Sequence, residues 1–404
     1  MKTKNKILFV LGILLLPCGL GLLLLYKVLK KKANRYYTAC LLPRFMLWLL
    51  QPHFKQDAFI LFDTNSINTQ LIDNYTLFQE MKKRNIKAYY LCYKLHPQYH
   101  QFKKLHGKNI IGFKNIDLLF FTLFFKLLKT KAILESFRKI LNSEFKKIKK
   151  NKYTQHIFTQ HGITFFKDNF IDEKNYSKRN YNKITISNNF EKEIFKKVGF
   201  KDDDFISSGL ARWDLLSEKT KEKSIFVYFT HRFTFWEKDK KNYKDSLYFQ
   251  NLEKLLKSLQ KLDVKVYVAI HHAVRDWIND FTIPGIIFVD EFEIDKIKNK
   301  TNLLITDYSS MCFEYMIKDK PVIFYHLDEN DKFLCEFDLK MQEDIKKKDK
   351  LIFNVFGKEK DVLEKVKKYI ENGFELEKEN KKIAKRFFFH KKNICEKIIN
   401  QLIK

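Results

Sequence analysis

The sequence predicts an α/β protein of two facing Rossmann-like domains preceded by an N-terminal transmembrane helix. Three observations carry this. An uncharged run of about 20 residues opens the chain. Short β-branched and aromatic runs then alternate with amphipathic helical stretches, the pattern of a parallel sheet covered by helices on both faces. The alternation restarts near Lys223, so two β/α series of similar size are expected to face each other across a cleft. The boundaries that follow are 1–35 for a membrane anchor, 36–56 for a juxtamembrane segment, 57–215 and 216–370 for the two Rossmann-like domains, and 371–404 for helices closing the structure.

The opening run, 7–26, reads ILFVLGILLLPCGLGLLLLY, long enough at 1.5 Å per residue to cross a hydrocarbon core. It passes directly into KVLKKK without a small-residue cleavage site, which favours an uncleaved anchor over a signal peptide. More basic residues follow the span than precede it, a bias toward a cytoplasmic body. Residues 36–54 mix aromatics with Arg44 and two prolines and suit the membrane interface.

In the first series AFILFD reads as a strand, NYTLFQEMKKRN as a helix and KAYYLCY as a second strand. IIGF, KAILES and HIFTQ follow as strands. DLLFFTLFFKLLKT is too short to span a bilayer and carries Lys126, so it reads as a buried or membrane-facing surface helix. The second series has strands SIFVYFT, KVYVAIH, GIIFVD and NLLITD, with the helix SLYFQNLEKLLKSLQKL between the first two. EKDVLEKVKKYIENG ends at a helix stop, Asn372-Gly373, before the amphipathic C-terminal stretch.

The 404 residues are 45% hydrophobic and 16% aromatic, ample for real cores, and 11 Gly with 6 Pro exclude collagen-like and low-complexity architectures. Six scattered cysteines offer no CxxC pair, so neither a disulfide framework nor a zinc site is indicated. Lys+Arg number 77 against 48 Asp+Glu, a net charge of +29. That excess suits anionic partners such as nucleic acid, acidic lipid headgroups or phosphate-bearing substrates, and equally reads as the solvated surface of a lysine-rich chain.

Ligands of open parallel sheets bind beyond the carboxyl ends of the strands, and four polar segments lie there. Gln160-His161-Gly162 places an imidazole after a strand, beside a glycine that permits a tight turn; it reads as a general base or as an ordinary loop histidine. Thr306-Asp307-Tyr308-Ser309-Ser310 leads from a strand into a helix, where amides, hydroxyls and the dipole suit a phosphate; an ordinary serine cap is the other reading. Glu314, one turn on, is placed to accept from a ribose. Thr230-His231-Arg232 offers a guanidinium as a pyrophosphate clamp, or a surface arginine. Of His271-His272, adjacent on an extended segment, one is expected to face the cleft. No Walker lysine motif and no GxGxxG is present, which argues against P-loop hydrolysis and a dinucleotide redox fold.

At these places the sequence resembles the CDP-glycerol glycerophosphotransferases, the teichoic acid and capsule polymerase family, whose catalytic domain looks like a GT-B glycosyltransferase. ITDYSSMCFEYMIKDKPVIFYHLD matches the most specific segment of that family. FTQHGITFFKD looks like its HGT segment, with Lys167 near the family's lysine. SSGLARWDLL is similar to its G-x-P-R-x-D turn, with Ala211 in place of proline and Arg212 and Asp214 kept. FVYFTHRFTFWE resembles its P-T-W-R segment with His231 at the tryptophan, and VAIHHAV its second histidine, aligned with His271 although His272 stays open.

The resemblance implies a GT-B-like pair of domains, acceptor-side then donor-side, and transfer of glycerol phosphate from CDP-glycerol to a hydroxyl of a glycan or lipid-linked acceptor at the plasma membrane. His161 would deprotonate the acceptor and His271 would stabilise or protonate the departing phosphate. Thr230, Arg232, Ser309 and Ser310 would bind the donor, with Asp307 ordering the turn and Glu314 on the ribose. Gly162, Lys167, Arg212, Asp214 and His272 stand in second rank. No obligatory cofactor or metal and no nucleic acid is implied. A CDP-ribitol or sugar-nucleotide transferase, and a membrane-tethered polyanion-binding protein without catalysis, are the competing readings.

Overall fold

The computed structural model describes residues 47, 50–64, 70–114, 123, 126–136, 153–165, 171, 180–230, 232, 244–271, 281–329, 331, 334–335, 339, 343 and 354–404. The first unit contains strands β1 (Ala58–Phe62), β2 (Ala88–Tyr93), β3 (Ile110–Phe113), β4 (Thr130–Glu135), β5 (Gln155–Phe158), β6 (Lys183–Ile186) and β7 (Phe205–Ser207), in the spatial order 3-2-1-4-5-6-7. Its helices include α1 (Asp73–Lys83), α2 (Tyr99–His106) and α3 (Asn189–Lys196). The second unit contains β8 (Ser224–Tyr228), β9 (Lys265–Ala269), β10 (Ile286–Val289), β11 (Leu303–Thr306), β12 (Val322–Tyr325) and β13 (Val355–Phe356), in the order 10-9-8-11-12-13. With it come α4 (Leu247–Leu259), α5 (Ile294–Lys300), α6 (Cys312–Met316) and α7 (Glu359–Glu371), and the chain ends in α8 (Lys378–Phe387) and α9 (Ile394–Ile403).

Among the described residues all the strand pairs are parallel, and the two orders repeat one scheme, starting at an inner strand, winding outward, then returning to its other side. Each sheet therefore has a switch point, between β1 and β4 and between β8 and β11. There the connections leave in opposite directions and open a crevice. Burial on both faces explains the strand sequences: β1 is AFILF with every residue buried, without the alternation of a half-exposed strand. One continuous buried cluster joins the units, running from Leu61 and Leu134 through Trp213 and Phe313 to Leu304 and Phe324.

The two α/β series are thus as expected, and α7 stops where Asn372-Gly373 predicts, Gly373 taking φ +67. Strands β6, β7 and β13 are additions to the strands read from the sequence, and β12 is the apolar run after Lys320-Pro321 in the ITDYSSMCFEYMIKDKPVIFYHLD segment. The C-terminal stretch is broken between Phe387 and Ile394, and α9 returns to the first unit, where Gln401 donates to Ser207 O and Lys131 to Ile403 O. The apolar run 7–26 and most of 117–130 lie outside the described residues, among which no helix is long and apolar enough to cross a membrane. The described end of the 36–56 stretch is tied into the first unit: Leu47 packs with Ile60 and Phe62, and buried Gln51 donates to Leu127 O and Thr154 Oγ1.

Candidate active site between the two sheets

An aspartate closes each switch point. Asp63, directly after β1, accepts from Ser136 Oγ after β4 at 2.7 Å, from Tyr90 Oη, and from the backbone N–H groups of Asn74 and Tyr75 at the start of α1. Those two amides, unpaired within the helix, are capped from outside it. Asp307, directly after β11, accepts from Thr230 N and Oγ1 after β8, from Tyr308 N and from Arg232. Both carboxylates are buried, and burial raises Asp63 above its ordinary range despite its donors.

His161 follows β5. Before it, Gln160 takes φ +59, a left-handed conformation uncommon for a side-chain-bearing residue, and is held there by donation from Nε2 to Thr185 O at 2.6 Å. The ring Nδ1 lies 3.1 Å from Ser136 O. A carbonyl only accepts, so Nδ1 carries a proton, and in the neutral ring the lone pair is then on Nε2, the tautomer a base requires. Beyond Gly162, Glu191 fixes the loop from below by accepting from Thr164 N and Oγ1 and from Ser187 N and Oγ.

This loop meets the Ser309–Ser310 turn of the second unit directly. A Cβ placed on Gly162 would sit 2.8 Å from Ser310 Oγ, closer than real Cβ atoms come, so the approach requires a glycine. On the turn, the N–H groups of Cys312, Phe313 and Glu314 donate back to Ser309, Ser310 and Met311 carbonyls, while among the described residues the N–H groups of Ser309 and Ser310 have no protein acceptor. Two amides without a protein acceptor and the hydroxyl of partly exposed Ser310 thus lie on the turn where the loops meet, a donor set suited to phosphate oxygens. An aromatic cluster backs the junction: Phe313 stacks on Phe387 at 5.1 Å and meets Phe165 at 5.9 Å.

Arg212, second-rank in the sequence, is the node of the cleft. It lies on the 3-10 turn Ala211–Leu215 after β7. Its Nη1 donates to Asp73 Oδ2 at 2.6 Å and to His161 O at 2.8 Å, and its Nε to Glu314 Oε1 at 2.7 Å. Gly209, at φ +131, lets the turn form against Trp213, which fills the space a side chain would need.

Other expected residues take different places. Arg232, expected as a pyrophosphate clamp, is 0% exposed, forked onto Asp328 at 2.5 and 2.8 Å and bonded to Asp307 at 2.7 Å, so its guanidinium orders the loop and does not reach the cleft. The Thr230 hydroxyl is spent on Asp307 at 2.8 Å. Glu314, expected on a ribose, is buried between Arg212 and Lys298. Burial works against its charge, but the two cations outweigh burial and hold its carboxyl below its ordinary value. Ser309 is buried, its Oγ accepting from Met311 N at 3.3 Å; the helix behind it is only five residues long and takes no side-chain cap. Asp214 caps α9 through Ile394 N at 2.9 Å and Cys395 N at 2.8 Å, away from the cleft. Asp307, expected to order the turn, accepts from Tyr308 N at 2.7 Å and from Thr230 Oγ1 at 2.8 Å. His271 lies two residues beyond Ala269, level with Thr230, since Tyr228 pairs with Ala269; it is partly exposed. Lys167, His231 and His272 fall outside the described residues. Asp73 and Lys298 went unread in the sequence, because an acidic residue in a first helical turn or a lysine on an amphipathic helix is commonplace.

The sequence profile of the CDP-glycerol:poly(glycerophosphate) glycerophosphotransferases matches residues 44–404. The chain belongs to this family. Among curated relatives, the minor teichoic acid biosynthesis protein GgaB of Bacillus subtilis is 25% identical over 227 residues, 50% of this chain and 24% of its own length. The teichoic acid poly(ribitol-phosphate) polymerase of Bacillus spizizenii is 30% identical over 168 residues, 37% of this chain and 26% of its own. The chain thus matches about a quarter of the length of these relatives. Among solved structures, a variant of the wall teichoic acid polymerase TagF soaked with CDPG superposes with TM-score 0.60 at 14% identity, covering 100% of this chain and 98% of that one. The UDP-GlcNAc 2-epimerase of Neisseria meningitidis bound to UDP-GlcNAc gives 0.54 at 11% identity, covering 86% and 99%. These likenesses are likenesses of fold, in keeping with the two-sheet architecture described above.

Proposed function

We propose that this glycerophosphotransferase family member moves a glycerol phosphate unit from CDP-glycerol to a hydroxyl of a glycan or lipid-linked acceptor in teichoic acid synthesis. The observation that carries the proposal is the meeting of the tautomer-fixed His161 loop with the Ser309–Ser310 turn across the cleft, at 2.8 Å from a Cβ built on Gly162. His161 Nε2 takes the proton of the acceptor hydroxyl, whose oxygen forms a bond to the glycerol-bearing phosphorus. The bond from that phosphorus to the bridging oxygen breaks, and CMP leaves with the electron pair. The Ser309 and Ser310 amides and the Ser310 hydroxyl stabilise the phosphoryl oxygens as charge shifts, and His271 meets the departing phosphate. Arg232, Asp307 and Thr230 act by holding the turn. The N-terminal apolar run would keep the body on the cytoplasmic face of the plasma membrane beside a lipid-linked acceptor.

CDP-ribitol is the second donor to test, because the relative from Bacillus spizizenii is a poly(ribitol-phosphate) polymerase. Incubation of the purified protein with each cytidine donor and a membrane extract should release CMP and add the mass of one polyol phosphate to the acceptor. His161→Ala should lower CMP release by about 10²–10⁴-fold, the range of a lost general base, with donor affinity retained. Wild-type protein that neither binds a cytidine nucleotide nor releases CMP would refute the assignment.

A further inference from the structure

The contacts around Arg212 form a chain through the cleft that the transfer chemistry alone does not require. Asp73, on the first turn of α1, holds Nη1, which also holds the His161 carbonyl. Nε and Nη2 hold Glu314 of the second unit, whose other oxygen is held by Lys298 on α5, itself paired with Asp295. Three carboxylates thus share two cations. The Asp73, Glu314 and Lys298 side chains are 8%, 2% and 5% exposed, so water does little to screen them. With every group ionised the cluster has one negative charge in excess, and Asp63 lies behind Asp73 as a further carboxyl group. Asp73 is the weakly held member: its Oδ1 has no hydrogen-bond partner among the described residues, whereas both oxygens of Glu314 are occupied.

We propose that Asp73 and Arg212 are positioning residues for His161, and that the Glu314–Lys298 arm makes this positioning depend on contact between the two units. The inference rests on His161 being the base. The arginine fork is needed because one planar group must reach three acceptors on two units, which an ammonium at the end of a flexible stem does not reproduce. Separation of the units would take Glu314 from Arg212, leave the guanidinium to its remaining partners and loosen the His161 carbonyl. The base would then be held in place only when the donor side is docked.

The test is amide hydrogen exchange across residues 159–165 in Asp73→Asn, Arg212→Lys and, as a surface control, Lys87→Gln, which touches only an exposed pair with Asp57. In the first two, exchange in this segment should quicken about tenfold with protection elsewhere retained, and the control should match wild type. In turnover with CDP-glycerol, kcat should fall at least about tenfold while KM for the donor stays within about threefold, and Asp73→Glu should recover part of kcat. Unchanged exchange in 159–165 in both variants would overturn the inference, as would a loss confined to KM. Should Asp73→Asn fail to fold, Arg212→Lys keeps the positive charge and carries the same measurement. The exchange readout needs no turnover: quickened exchange in a protein inert toward cytidine donors would defeat the transferase reading and leave the positioning role standing.

Discussion

The Arg232 guanidinium lies between two aspartates and over two tyrosine rings, 4.6 Å from the centroid of Tyr308 and 5.0 Å from that of Tyr248. With no exposed surface, it stays charged: burial opposes the charge, but Asp328, Tyr308 and Asp307 outweigh that and push its pKa well above the ordinary value. Removing it would leave Asp307 and Asp328 buried with their main counter-charge gone, which costs about 3–5 kcal/mol when one partner of a buried pair is lost. Arg232→Met should therefore lower the urea-unfolding free energy by that amount, and a variant as stable as wild type with weaker cytidine nucleotide binding would return the residue to the clamp role. The sequence located the segment but not its direction. Arg232 lies four residues beyond the last residue of β8, where the period-2 alternation that says which way a side chain points has lapsed. Arg212 stood only in second rank for the opposite reason, since its importance lies in partners far off in sequence, Asp73 and Glu314, which no local pattern connects.

At the scale of elements, the C-terminal α9 has an unusual start. Its cap residue Asn393 is left-handed, with φ +57, and makes no side-chain cap bond. The amides of Ile394 and Cys395 are instead taken by Asp214, some 180 residues away in sequence. Cap loss costs about 0.5–2 kcal/mol, and here the cap also ties the last helix to the turn that carries Arg212. Asp214→Ala should lose stability in that range and expose α9 to limited proteolysis before the remainder unfolds; simultaneous cleavage throughout would show that the cap does not secure the element. The strands legible in the sequence were those whose apolar runs are continuous, such as AFILF and LLIT, because burial on both faces of a parallel sheet writes that signature. KITI and FIS were missed because β6 lies among asparagines, β7 is three residues long, and buried Thr185 breaks the apolar run. The break between α8 and α9 was equally hidden, since KENKKIAKRFFFHKKNICEK contains neither proline nor glycine.

For the whole molecule, the ion cluster makes stability depend on pH in a direction that can be worked out. Burial, reinforced by the charges of Asp63 and Glu314, outweighs Arg212 and raises Asp73 from 3.8 to about 7. The folded protein therefore holds this proton more tightly than the unfolded chain. The stabilisation from Asp73 is fully present below pH 3.8 and is lost as pH rises through about 7. Asp63 and Glu191, also raised chiefly by burial, act in the same direction, whereas Glu314, lowered, acts oppositely. The overall curve mixes these with the relief of repulsion in a chain of net charge +29, so the informative quantity is the difference between wild type and Asp73→Asn, which cancels most of the rest. The variant cannot ionise at this position. From pH 5 to pH 8 the stability of wild type relative to Asp73→Asn should fall by roughly 2–3 kcal/mol, at about 1.4 kcal/mol per pH unit until the folded pKa is passed, and then level off. Paired urea titrations at several pH values measure this directly. Parallel curves would mean that Asp73 ionises normally in the folded protein, and that the negative charge in excess is borne by the cluster without taking up a proton.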